Sequence, residues 1–115
     1  MIHPYIYAGL PKAKMTCSEA YNYEKQRIID TFGISDFVTN KTRKRNYVWL
    51  RHIFFYKLVL EYKISPTKLE VLSKYDRTTI LHSIKTVESL MLGRKPDKEF
   101  MEYAVKYGIN NIKNN

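Results

Sequence analysis

A single cysteine, Cys17, excludes an internal disulfide and a cysteine-ligated zinc cluster, and one idle thiol fits a reducing cytoplasm. No apolar run reaches the roughly 18 residues that a bilayer-spanning helix needs. The opening residues, MIHPYIYAGLPK, lack the charged-then-apolar plan of a secretory signal, so no membrane attachment is expected. The four glycines (Gly9, Gly33, Gly93 and Gly108) are isolated. No G-x-x-x-x-G-K-[ST] loop occurs among them, which removes P-loop nucleotide hydrolysis. His3, His52 and His82 lie far apart and have no carboxylates at metal-ligand spacing, and Cys17 has no adjacent base to activate it. The expectation is a protein without catalysis, metal or cofactor. With four Gly and four Pro there is also no low-complexity segment, and no internal period is visible.

What is present is apolar and basic. A hydrophobic fraction of 44%, with ten Tyr, five Phe and one Trp in 115 residues, suffices for one compact core. Twenty Lys/Arg oppose eleven Asp/Glu, for a net charge of +9. Residues 41–95 hold 13 basic and 4 acidic side chains, and the rest of the chain holds seven of each sign. The whole imbalance therefore sits on one segment. Neutralising phosphates there would release condensed counterions, so a polyanion is the economical partner. The plainer reading is a solvated basic face.

Along the chain, residues 1–15 read as an N-terminal arm, with Pro4 and Pro11 breaking helix and Tyr5, Ile6, Tyr7 and Leu10 able to pack on the body. Thr16 or Ser18 caps a first helix running to about Phe32, with Tyr21, Ile28, Ile29 and Phe32 inward and Gly33 as its stop. Ser35-Asp36 starts a short turn through Phe37-Val38. A polar stretch, Thr39 to Arg45, carries four cations in its last five residues. A helix over Tyr47–Tyr62 follows, built on Trp49, Leu50, Ile53, Phe54, Leu58 and Val59. Ser65-Pro66 is a cap followed by proline at the first helical position, opening a helix over Pro66–Ser73 with Leu69, Val71 and Leu72 available to the core. Lys74-Tyr75 forms a turn and Asp76 caps the next helix. That helix ends at Gly93, with Pro96 beyond. Asp97 caps a last one over Lys98–Tyr107, with Phe100, Met101, Ala104 and Tyr107 inward and Gly108 as its stop. Residues 109–115 read as a frayed tail.

The stretch Asp76–Met91 has two faces. Ile80, Ile84, Val87 and Met91 form an apolar stripe at helical spacing. Thr78, His82, Lys85 and Ser89 repeat that spacing two residues earlier, which at 3.6 residues per turn puts them about opposite. Hydroxyls, an imidazole and a lysine, with Arg77 at the leading end, suit a phosphate-lined groove. Preceded by a short capped helix and a turn, this stretch reads as the recognition half of a helix-turn-helix. The plainer alternative is an ordinary amphipathic surface helix.

Two stretches together resemble the C-terminal DNA-binding domain of the bacterial replication initiator DnaA. Thr42-Arg-Lys-Arg-Asn-Tyr-Val-Trp-Leu-Arg-His-Ile53 is similar to the family's S-R-K-R-x-x-V-x-x-R-Q-I. Asp76-Arg-Thr-Thr-Ile-Leu-His82 is similar to its R-D-H-T-T-V-L-H signature, and Gly33-Ile34 with Asp36-Phe-Val38 to its G-I-x-x-x-D-L-L. The likeness covers residues 17–92. It implies an all-α, Trp-repressor-like domain over residues 16–108 that reads double-stranded DNA with the helix-turn-helix in the major groove and the basic loop in the minor groove.

By that resemblance Arg43 enters a narrow A·T-rich minor groove, where negative potential is enhanced, and Lys44 and Arg45 follow the same backbone. Arg51 and His52 match an Arg-Gln pair on phosphates. Asp76, Thr78 and Thr79 match residues at base edges or the adjacent phosphate, and His82 and Lys85 continue that face. The family's Arg before the Asp is Tyr75 here and its following His is Arg77, so the family's own DNA box does not transfer. Arg77 is expected to read guanine in bidentate fashion. His52 and His82 also fit simple helix-packing or hydrogen-bonding roles. The expected setting is replication or transcription control, in the cytoplasm of a bacterial or phage-infected cell; the resembled module can bind as a monomer, and the sequence leaves the oligomeric state open. The competing expectation is an interaction module of the same fold that binds a replication or transcription protein and has little DNA affinity.

Overall fold

A computed structural model describes residues 15–92 and 97–107, and these form five helices with no strand. They are α1 (Cys17–Phe32), α2 (Arg45–Leu60), α3 (Pro66–Ser73), α4 (Arg77–Leu92) and α5 (Lys98–Tyr107). The expectations about residues 1–14, the Gly93 and Pro96 boundary, Gly108 and the tail lie outside the described residues. No helix among the described residues is long and apolar enough to cross a membrane.

Local capping sets the helix ends. Thr16 and Glu19 form a reciprocal capping box, and Gly33 closes α1 at φ 76°, donating its N–H to the Ile29 carbonyl. Ser65 accepts from the Lys68 amide ahead of Pro66, Asp76 from the Thr79 amide, and Asp97 from the Phe100 amide. Lys74 occupies the left-handed region at φ 68° and ends α3 by bonding back to the Glu70 carbonyl. A β-carbon is strained there, yet the turn is still made, so a glycine is not required.

Helix α2 is the axis of the core. It begins two residues before the expected Tyr47, which brings Arg45 into its first turn, and it ends at Leu60. Leu50, Ile53, Phe54, Phe55 and Leu58 have no exposure. Burial on nearly every side is what a predominantly apolar sequence, interrupted by Arg51, His52 and Lys57, allows in a central helix. Phe54 meets Tyr21 and Phe37 edge-on, and Trp49 meets Phe100 in the same way. The predicted stripe of α4 (Ile80, Ile84, Val87, Met91) is buried, and α4 packs mainly on α2.

The core differs from expectation in several places. Val71 is 65% exposed, because Leu69 and Ser73 take the inward positions of the short α3. Ile29, Phe32 and Met101 are only half-buried. A carboxylate that no sequence pattern singled out, Glu24, is wholly buried in α1. It accepts hydrogen bonds from the hydroxyls of Tyr62 and Tyr107 and from Arg27 Nη1 at 3.2 Å, tying α1 to the α2–α3 connection and to α5. With both oxygens satisfied, the buried charge is tolerated.

Candidate nucleic-acid interface

The outward face of α4 carries Arg77, Thr78, Thr79, His82, Lys85 and Ser89, all exposed. Glu88 is also exposed; at 100° per residue it lies about 80° from Thr78 but only about 20° from Arg77, so it shares Arg77's side of the helix three turns further on. Arg77 Nη1 reaches back 3.5 Å to the Thr67 hydroxyl on α3, which holds its stem along the helix pair. Asp76 is committed as the cap of α4. Hydrogen bonds from Thr79, side chain first and then backbone, hold its carboxyl below the usual range. It therefore stands as an anion at the start of this face.

The basic loop lies beside that face. Lys41, Arg43, Lys44 and Arg45 are exposed, and α2 begins at Arg45 with no side-chain cap at Lys44 and no acid in its first turn. Apart from the Tyr47 amide, which donates to Asn46 Oδ1 at 3.0 Å, the first amides of that helix add positive potential where the loop cations already cluster. Among the described residues no carboxylate pairs with Arg43, Lys44 or Lys85, whereas Arg45 is turned toward α5. Its Nη1 lies 3.0 Å from Glu99, and its guanidinium lies over the Trp49 ring.

Arg51 takes a different place from the one expected of a phosphate anchor. It is 9% exposed, and its guanidinium donates to the carbonyls of Phe37 (3.1 Å), Asn40 (2.8 Å) and Thr42 (2.7 Å). Arg51 is thus the internal frame of the basic loop. The five donors of a planar guanidinium let it collect three carbonyls from one helix position.

His52 is half-buried, with Nδ1 at 2.8 Å from Ser83 Oγ. Ser83 also donates to the Thr79 carbonyl at 3.1 Å. With that hydroxyl hydrogen committed, the neutral ring carries its proton on Nδ1. Burial, then the neighbouring His82 and Arg51, push the His52 pKa down to about 4, so it is uncharged at neutral pH. Its role is the hydrogen-bonded one, linking α2 to α4. Tyr75 is likewise turned inward: its hydroxyl donates to the Val38 carbonyl at 2.5 Å and its ring lies against Phe55. Burial raises its pKa, which keeps it a donor.

Loop and helix meet at a cleft of about 520 Å³. Its walls include Arg43 of the loop, Arg51 and His52 of α2, Tyr75 of the turn, and Thr79 and His82 of α4. Of the twelve residues expected at the site, Arg43, Lys44, Arg77, Thr78, Thr79, His82 and Lys85 are exposed on the loop or on α4. Arg51, His52 and Tyr75 hold those two elements together from behind, Asp76 caps, and Arg45 faces α5.

Sequence reasoning missed Lys41, whose ammonium lies 4.6 Å above the Tyr75 ring, and Ser83. The clue to Ser83 was a hydroxyl residue standing in register with Ile80, Ile84 and Val87, since a polar group on an apolar stripe needs a buried partner. Among the described residues no three His, Cys, Asp or Glu side chains gather as metal ligands. The surface offers cations and hydrogen-bonding groups. No protein-family model, curated protein or solved structure matches the chain.

Proposed function

We propose that this chain is a sequence-specific double-stranded DNA-binding domain, similar to the C-terminal domain of DnaA and acting in replication or transcription control. The first turns of α4 enter the major groove and the loop carrying Arg43 and Lys44 enters the adjacent minor groove. The observation that carries the reading is the shared cleft, which has exposed Arg43 on one side and the exposed first turns of α4 on the other. Two elements that read neighbouring grooves must lie side by side on one face and carry cations, and these do. Arg77 is the base reader, a bidentate guanine contact being worth about 1–3 kcal/mol of discrimination. Lys44 and Lys85 serve the phosphates.

The test is binding to random duplex DNA at two salt concentrations, followed by selection of enriched sites. The expected result is affinity that falls steeply with salt, plus one enriched site containing an A·T-rich part. Absence of binding at low salt, or a flat salt dependence, overturns the reading.

Exposed Val71 on α3 and Leu81 on α4 favour one competing reading, an interaction module that docks a replication or transcription protein on the same helix pair. Salt-insensitive pull-down of such a partner, with duplex DNA left unbound, would select it.

A further inference from the structure

We propose that Tyr75 is a positioning residue that pins the basic loop to the helix pair, so that the two grooves are read in one fixed register. The inference rests on the DNA reading above and adds a mechanical constraint that the reading does not require.

Tyr75 lies in the three-residue turn between α3 and α4, one residue before the cap of α4. From there its side chain reaches the far side of the cleft. The hydroxyl donates to Val38 at the end of the 35–39 turn, from which the loop departs. Lys41 closes the same contact from the loop side, its ammonium lying over the Tyr75 ring and donating to the Lys74 carbonyl at 3.4 Å. Arg51, with its guanidinium 5.7 Å from that ring, holds the carbonyls on both sides of Lys41. The loop is therefore fastened to the turn that leads into α4 as well as to α2.

A loop merely tethered at its ends would adapt to a minor groove displaced relative to the major-groove contacts. A pinned loop cannot. One inserted base pair moves the two parts of a site apart by about 3.4 Å and turns them by roughly 35°. The intact chain should then engage only one of them and lose the gain of linked binding, on the order of 100-fold.

Tyr75→Phe keeps the ring and removes the bond to Val38, and Lys41→Ala removes the contact from the loop side. Two measurements decide. In the DNA-free protein, amide exchange at Asn40, Thr42 and Lys44 should rise at least about five-fold in Tyr75→Phe, the equivalent of one lost hydrogen bond, with Ile84 and Val87 in α4 unchanged. Unchanged loop amides overturn the pin. So does an equal rise in α4, which marks general loss of stability.

On a site selected from random duplexes, and on the same site with one base pair inserted between its two parts, the wild-type chain should show the full penalty. Tyr75→Phe and Lys41→Ala should bind the original site more weakly and show a penalty at least about ten-fold smaller. Equal penalties overturn the register coupling. If the wild-type chain binds no duplex, the DNA reading falls and the register half falls with it, while the exchange measurement still decides the pin.

Discussion

Replacing Arg51 by alanine separates two roles that one arginine near the start of a helix beside a basic loop can have. If it frames the loop, the damage is to stability. The bonds to the Asn40 and Thr42 carbonyls lie near the surface, where water replaces the guanidinium, and their loss costs about 0.5–1 kcal/mol each. The bond to Phe37 is buried, and an orphaned buried acceptor costs about 1–3 kcal/mol. Together these come to about 3 kcal/mol, a large fraction of the stability of a domain this size. With a urea slope of about 1.5 kcal/mol per molar, the unfolding midpoint should fall by about 2 M. Arg51→Lys keeps the charge but not the planar fork, and should recover less than half of that loss. The slope of log affinity against log salt should stay the same, because no phosphate contact is removed. Removal of one phosphate contact would lower it by about 0.9. Arg51→Ala with a midpoint within 0.3 M of wild type (about 0.5 kcal/mol at that slope) and a salt slope reduced by about one would refute the framing role.

The remaining predictions touch other parts of the same surface and core. Arg77→Ala should flatten base preference at one position of the selected site by about 1–3 kcal/mol, whereas Lys85→Ala should weaken all duplexes alike; competition binding distinguishes them, and identical profiles would contradict the assignment. His52 has a folded pKa of about 4 against an ordinary value of 6.5, so the unfolded chain takes up the proton first as pH falls. Its stabilising contribution is complete above about pH 6.5 and lost toward pH 4. After discounting for partial exposure this amounts to roughly 2 kcal/mol. Urea titrations of wild type and His52→Gln across that window should diverge by this amount, and parallel curves would count against a neutral, Ser83-bonded ring. Glu24→Ala leaves Arg27 and two tyrosine hydroxyls facing an apolar gap, and should lower stability by about 3–5 kcal/mol in thermal or urea unfolding. A loss under 1 kcal/mol would mean that the clasp is dispensable.

Apart from the charge distribution, the features that were legible in the sequence have a short range. Capping boxes, the Ser65-Pro66 start, the Gly33 stop and the Ile80–Met91 stripe are interactions over three or four residues, and backbone geometry makes them readable from spacing alone. The outward face of α4 follows from the same period, because whatever opposes a buried stripe is exposed. Charge confinement to residues 41–95 needs only counting. These determined an all-helical chain with a two-faced helix and a separate basic loop, which carry Arg43, Lys44, Arg77, Thr78, Thr79, His82 and Lys85; that the two lie side by side was decided by packing.

Only the tertiary structure decided which cations are available and which are already engaged. Arg51 bonds to carbonyls up to 14 residues away, His52 to a serine 31 away, Tyr75 to a carbonyl 37 away, and Glu24 to a tyrosine 83 away. No local period encodes such pairings, since the partners come together only when α2 has packed against its neighbours. An arginine, a histidine and a tyrosine written between loop and helix look like contacts for a ligand until the fold shows them turned inward. There they hold that loop and helix on the two sides of one cleft.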